Sequence, residues 1–121
     1  MTVNAIQIHK GNHGTWLLTV YDENDDTIDL TGAGVIFTVK KTKTTPAVSV
    51  QRRSPDAGGS INEIEILDQV TSPGQCYVKI IPANTRDLDA GDYVYDVKVI
   101  IGGQEKTVVD SKFTLLEAVT P

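Results

Sequence analysis

The sequence holds a single cysteine, Cys76, so no disulfide can form within the chain and no thiolate cluster can hold a metal. Basic residues are few: 11 Lys and Arg stand against 16 Asp and Glu, a formal net charge of -5. That balance argues against a nucleic-acid partner, because phosphate neutralisation needs a basic face. The small basic cluster of Lys40, Lys41, Lys43, Arg52 and Arg53 reads as solvated strand ends. No apolar run approaches the length of a membrane span, so membrane insertion is not expected. The opening Met1 to Ile6 lacks a charged start and a long apolar stretch, so a signal peptide is not expected either. These absences together predict a soluble domain made in a reducing compartment. A long amphipathic helix is also missing, which leaves short strands as the building material.

What is present is clearest from Leu88 to Val99. Tyr93, Tyr95, Val97 and Val99 fall on one face of a strand, and Val94, Asp96 and Lys98 on the other. The lead-in Leu88-Asp89-Ala90-Gly91-Asp92-Tyr93 matches a tyrosine corner. Gly91 permits a tight path there, and the Tyr93 hydroxyl can return to nearby backbone.

Taken from the start, Ile6 to His9 predicts a short strand and Gly11 to Gly14 a turn. Thr15 to Asp22 predicts a strand. Leu17 and Tyr21 make its outer face apolar too, but the Trp16, Leu18 and Val20 face is favoured as buried because Trp offers the largest burial. Glu23 to Asp26 is a polar turn, and Thr27 to Leu30 a short extended piece. Val35 to Lys41 turns Val35, Phe37 and Val39 inward, with Ile36, Thr38 and Lys40 outward. Ala47 to Arg53 reads as an edge strand behind Pro46, and Ser54 to Ser60 as an exposed, flexible loop tip. Ile61 to Leu67 turns Ile64 and Ile66 inward. Gln75 to Ile81 turns Cys76, Val78 and Ile80 inward and Tyr77 and Lys79 outward. Pro82 to Leu88 fits one helical turn, with Leu88 as a plug. Gly102-Gly103 signals a hairpin into a last strand whose inward residues are Val109, Phe113 and Leu115.

A chain of 121 residues suits one core, so residues 1–121 are expected to form a single domain. About seven or eight short antiparallel strands predict an all-β, immunoglobulin-like β-sandwich, with a small closed barrel as the alternative.

Chemistry is sparse. His9 and His13 lie four apart, but Gly11 and Asn12 break any helix that would align them on a metal. Asp22, Asn24 and Asp26 match the first ligand positions of a calcium loop. The match then fails at Thr27, where Gly is needed, and at Ala33, where a bidentate Glu is needed, so a hairpin turn is expected. Cys76 alternates with core residues and reads as an inert thiol. Glu63 and Glu65 are expected to be solvated. No nucleophile, base and orienter occur in a pattern for catalysis, so no catalytic, cofactor-binding or metal-binding residue is assigned and an enzyme is not expected.

Several segments together resemble one family. They are Lys10-Gly11-Asn12, Leu18 to Asn24, Ile28-Asp29-Leu30-Thr31-Gly32-Ala33, Val35 to Lys40, Ala90 to Val97, and Lys112 to Leu116. The chain is similar to the immunoglobulin-like N-terminal domain of phage baseplate upper proteins and related tail proteins of tailed bacteriophages. The similarity covers nearly the whole chain and is weakest from Thr42 to Ser60. It implies a virion structural protein of the tail or baseplate, made in the host cytoplasm. Such a protein acts through contacts with other phage structural proteins to attach or organise fibre or receptor-binding components. Such domains often continue into a coiled coil or second domain, whereas this sequence stops at Pro121. The family carries no catalytic motif to transfer. A homo-oligomer in the virion is expected, with Ile36, Tyr77 and Ile81 as candidate interaction residues and Ala47 to Arg53 as the candidate edge. Two other functions fit the same fold: a capsid decoration protein, or a carbohydrate-binding module that grips a glycan through Tyr21, Tyr77 or Trp16.

Overall fold

The computed structural model describes residues 5–117, with Val109 described by its backbone alone. Eight strands follow in order: β1 (Ile6–His9), β2 (Gly14–Thr19), β3 (Gly34–Lys40), β4 (Val50–Arg53), β5 (Ile64–Ile66), β6 (Gln75–Ile80), β7 (Gly91–Ile101) and β8 (Gln104–Leu116). A 3-10 turn at Pro55–Ala57 and the short helix α1 (Pro82–Thr85) complete the described elements. The strands form a five-stranded sheet in the order β1-β8-β7-β3-β4 and a three-stranded sheet in the order β2-β6-β5. Strands two, five and six oppose three, seven and eight, with β4 added beside β3. That is the immunoglobulin arrangement, and the fold is an all-β sandwich.

One pairing departs from the antiparallel expectation. β1 runs parallel to β8, from Ile6 opposite Phe113 to His9 opposite Leu116. The turn after β1 carries the chain across to the other sheet instead of folding it back as a hairpin, so nothing local forces β1 and its neighbour to be antiparallel.

Alternation explains the core. The side chains of Val35, Phe37 and Val39 on β3, Cys76, Val78 and Ile80 on β6, and Tyr93, Tyr95, Val97 and Val99 on β7 are buried together between the sheets. Leu18 and Val20 are buried and Trp16 half-buried, which makes the Trp16 side of β2 the inward one. Aromatic rings stitch the centre: Phe37 lies 5.1 Å from Tyr95, and Tyr93 meets Phe113 edge-on at 6.5 Å.

The tyrosine corner is present. The Tyr93 hydroxyl donates to the Asp89 carbonyl at 2.7 Å, and Gly91 takes a φ of 141° that disfavours a side chain. Leu88 packs half-buried against the core, as a plug would. Thr85 of α1 is fully buried and accepts the Gly11 amide at 2.9 Å, which pins the first turn to the corner.

Some elements differ from the expectation. The strand expected over Ile61 to Leu67 is confined to Ile64–Ile66, and Ile61 lies exposed in the preceding turn. The extended piece from Thr27 is reduced to one bridge with Tyr21. The Ser54 to Ser60 loop exposes Pro55, Asp56 and Gly58 as expected, and is anchored at its two ends. Ser54 is fully buried and its Oγ accepts the Val35 amide at 2.8 Å, while a Cβ on Gly59 would run into the Arg53 carbonyl oxygen. In β8 a bulge shifts the register, with Val97 opposite Val109 and Lys98 opposite Thr107, and Val108 between them is buried. The expected inward side chain of Val109 lies outside the described residues.

Candidate interaction surfaces

The two outer faces of a sandwich point in opposite directions, and the three candidate residues divide between them. Ile36 alternates with buried Val35 and Phe37, so it stands half-buried on the outside of the five-stranded sheet. Its cross-strand neighbours are Lys98 and Arg53. Tyr77 alternates with buried Cys76 and Val78, so it stands half-buried on the outside of the three-stranded sheet, between Leu17 and Glu65. Ile81, 39% exposed, follows on from β6 and begins α1, where its amide donates to Asn84 Oδ1 at 2.9 Å. The core therefore separates Ile36 from Tyr77 and Ile81, and one surface cannot contain all three. Leu17, 48% exposed, and Ile61 are the apolar neighbours that reading the sequence missed. Lys79 places Ile61 near this face, since its Nζ donates to the Ile61 carbonyl and to Glu65 Oε1, both at 2.9 Å. The available signal for Leu17 was the apolar character of both faces of β2.

The outer face of the five-stranded sheet has a different chemistry. A shallow depression of about 240 Å³ is lined by Thr38, Lys40, Lys43, Val94, Tyr95, Asp96, Thr107 and Asp110. Lys43 and Asp110 pair across it at 2.8 Å, and Lys98 and Glu105 pair nearby at 3.7 Å. Exposed pairs of this kind are worth little energetically, and here the sheet's own charges answer one another.

The candidate edge is an edge: β4 is the outermost strand of its sheet, although it covers only the Val50–Arg53 part of the expected stretch. Its outer side is occupied, however. The Arg53 amide donates to Glu63 Oε1 at 3.4 Å. The buried Arg52 guanidinium crosses to the other sheet, donating to the Lys79 carbonyl at 2.9 Å and the Asn62 carbonyl at 3.3 Å.

The remaining chemical candidates resolve into local structure. Asp22 Oδ1 accepts the Asn24 amide at 2.8 Å and the Asp26 amide at 3.0 Å, and Asp25 takes a left-handed φ of 63°. The acidic stretch is thus a side-chain-braced turn, as the broken calcium pattern predicted. Among the described residues no group of three or more His, Cys, Asp or Glu is arranged to hold a metal ion. Burial pushes the Cys76 thiol up to about 12, far from the thiolate that nucleophilic or metal chemistry needs. The aromatics named for a glycan do not form one platform. Tyr77 is on the outer face, Trp16 leans toward the core over Gly14, and Tyr21 lines a crevice with Ile28 and Lys106. No helix among the described residues is long and apolar enough to cross a membrane.

The chain matches no protein-family model, and no curated protein matches it. Among solved structures, a candidate glycoside hydrolase from Bacteroides vulgatus ATCC 8482 is similar over 95% of this chain, at 10% identity and a TM-score of 0.48. This chain spans 17% of that protein's length.

Proposed function

We propose that this domain is a structural protein of a tailed-bacteriophage virion, located in the tail or baseplate. In this role it has no catalytic step: it joins other phage structural proteins and copies of itself through surface contacts. The reading starts from the sequence resemblance, whose segment Val35 to Lys40 lies in β3 and whose segment Ala90 to Val97 leads into β7 and follows it to Val97; β3 and β7 are neighbouring inner strands of the five-stranded sheet. The observation that carries it from fold to role is the apolar pair on the outer face of the three-stranded sheet. Leu17 and Tyr77 stand directly opposite each other there, with Ile81 and Ile61 at the same end of the sheet as Lys79. Partly exposed apolar side chains beside the Lys79–Glu65 pair, on a chain of net charge -5, make a mixed surface suited to protein contact. Each contact is modest, and repetition around a symmetric tail supplies strength through avidity.

Gold-labelled antibody against the domain, applied to purified particles from the source phage, tests the role. Label confined to the tail or its distal end is the expected result. Label spread over the head would assign the domain to capsid decoration instead, and unlabelled particles would refute a virion role. A glycan array run beside it should show no binding; a specific glycan signal lost in Tyr77→Ala would replace the proposal with carbohydrate recognition.

A further inference from the structure

We infer that the outer edge of β2 is a self-pairing edge, through which two copies of this chain join their three-stranded sheets into one continuous sheet. The Val20 amide donates to the Gly74 carbonyl at 2.8 Å, in line with the β2–β6 register. That bond fixes the phase of the ladder, because neighbouring residues on a strand point their amides and carbonyls to opposite sides. Gly14, Trp16 and Leu18 turn theirs toward β6, and Thr15, Leu17 and Thr19 turn theirs away. β2 is the outermost strand of its sheet, and among the described residues no strand lies on its other side.

The other three sheet margins, β1, β4 and β5, are shorter than β2, and β1 offers only the four residues Ile6–His9. β4 has Glu63 on its outer amide and the Arg52 bridge beside it, and β5 is three residues long. β2 is six residues long, and Gly14-Thr15-Trp16-Leu17-Leu18-Thr19 contains no charged residue and no proline. Charges and prolines are the usual guards against edge pairing. A neutral edge also lets two copies of a chain with net charge -5 meet without like charges facing at the seam.

The residue order is what selects a second copy as the occupant. A two-fold antiparallel pairing centred on Leu17 sets Leu17 against Leu17 of the second copy and Thr15 against Thr19. All the outward backbone groups are then matched at once, and like side chains meet like. The same pairing brings the two Leu17–Tyr77 pairs side by side, since Leu17 lies opposite Tyr77 in each copy. Half-buried Trp16 is drawn further from water at the seam. A single edge buries less than a standard stable interface, so the dimer is weak and concentration-dependent. The inference rests on strand geometry and holds whether or not the domain belongs to a virion.

Light scattering over a concentration series tests it, beside Leu17→Lys, Thr19→Lys and, on the other sheet, Gln51→Lys. The parent and Gln51→Lys should rise toward twice the monomer mass as concentration increases, while Leu17→Lys and Thr19→Lys stay monomeric with unchanged circular dichroism. Leu17→Cys gives a readout independent of a charged substitution. Directly opposed residues in such a pair sit about 5.5 Å apart at Cα, within disulfide reach. Mild oxidation should therefore link Leu17→Cys into a dimer and leave Gln51→Cys unlinked. A parent that remains monomeric at the highest concentration overturns the inference. So does a Leu17→Lys protein that associates like the parent, or a Leu17→Cys protein that links no faster than Gln51→Cys.

Discussion

Removing one oxygen at the tyrosine corner, Tyr93→Phe, isolates a single interaction. The hydroxyl donates to the Asp89 carbonyl at 2.7 Å, and the ring beneath it is buried against Phe113. Phenylalanine keeps the ring, its edge-on contact, and the face over which Lys41 Nζ sits at 4.6 Å. Asp89 is exposed, so water can take the place of the lost donor and no buried acceptor is left unmatched. The cost is then the net value of one hydrogen bond, about 1 kcal/mol. For a domain of this size that lowers the melting temperature by about 4 °C. Tyr93→Ala removes the ring as well and should cost about 3–5 kcal/mol. Urea unfolding of the three proteins, with midpoints compared at equal slope, measures both steps. Equal midpoints for the parent and Tyr93→Phe would refute the corner as a stabilising device. A Phe variant as damaged as the Ala variant would show that the hydroxyl does more than bond one carbonyl.

The same structure makes further predictions. Arg52→Ala leaves the Lys79 and Asn62 carbonyls without their charged donor and should cost about 2–3 kcal/mol in urea unfolding, with Arg52→Lys recovering only part because lysine lacks the guanidinium fork. Gly59→Ala forces a Cβ onto the Arg53 carbonyl and should lower stability by about 1–3 kcal/mol in thermal melts, although the position looks like an ordinary loop glycine. Cys76 has its folded pKa raised by burial from 9.0 to about 12, so its contribution is complete below pH 9 and is lost as pH climbs toward 12. Tyr93 and Tyr95, raised above 10.0 chiefly by burial, act with the same sign in the upper part of that window. Stability measured against pH should therefore fall on the alkaline side, and less steeply in Cys76→Ala. Millimolar calcium should leave the melting temperature unchanged, because Asp22 already serves two backbone amides, and a chelator-reversible rise would contradict that reading.

Period-two patterning made the sandwich legible where one face of a strand is strictly apolar, as in β3, β6 and β7. The tyrosine corner was legible because it is local: Leu88, Gly91 and Tyr93 lie within one turn of chain. Long-range pairings were not. Nothing in Ile6–His9 announces a parallel partner in Phe113–Leu116. Nor does Ser54 show that it caps Val35, 19 residues away. The same limit governed the surface. Alternation correctly turned Ile36 and Tyr77 outward, but outward from different sheets, and strand order is a property of the whole chain. Leu17 was hidden because β2 is apolar on both faces, a pattern that patterning alone cannot divide. The edge at Val50–Arg53 was legible as an edge, while its cover depends on Glu63 from the turn before β5 and on Arg52 of the strand itself reaching backbone carbonyls distant in sequence.

Quantitative mass spectrometry of purified particles tests most directly the proposal that the domain is a built-in part of a phage tail. The predicted result is a fixed number of copies per particle that is a multiple of the tail's rotational symmetry and that persists after heads are removed from tails. Absence of the protein from intact particles, or a copy number that follows the head fraction, would contradict the account.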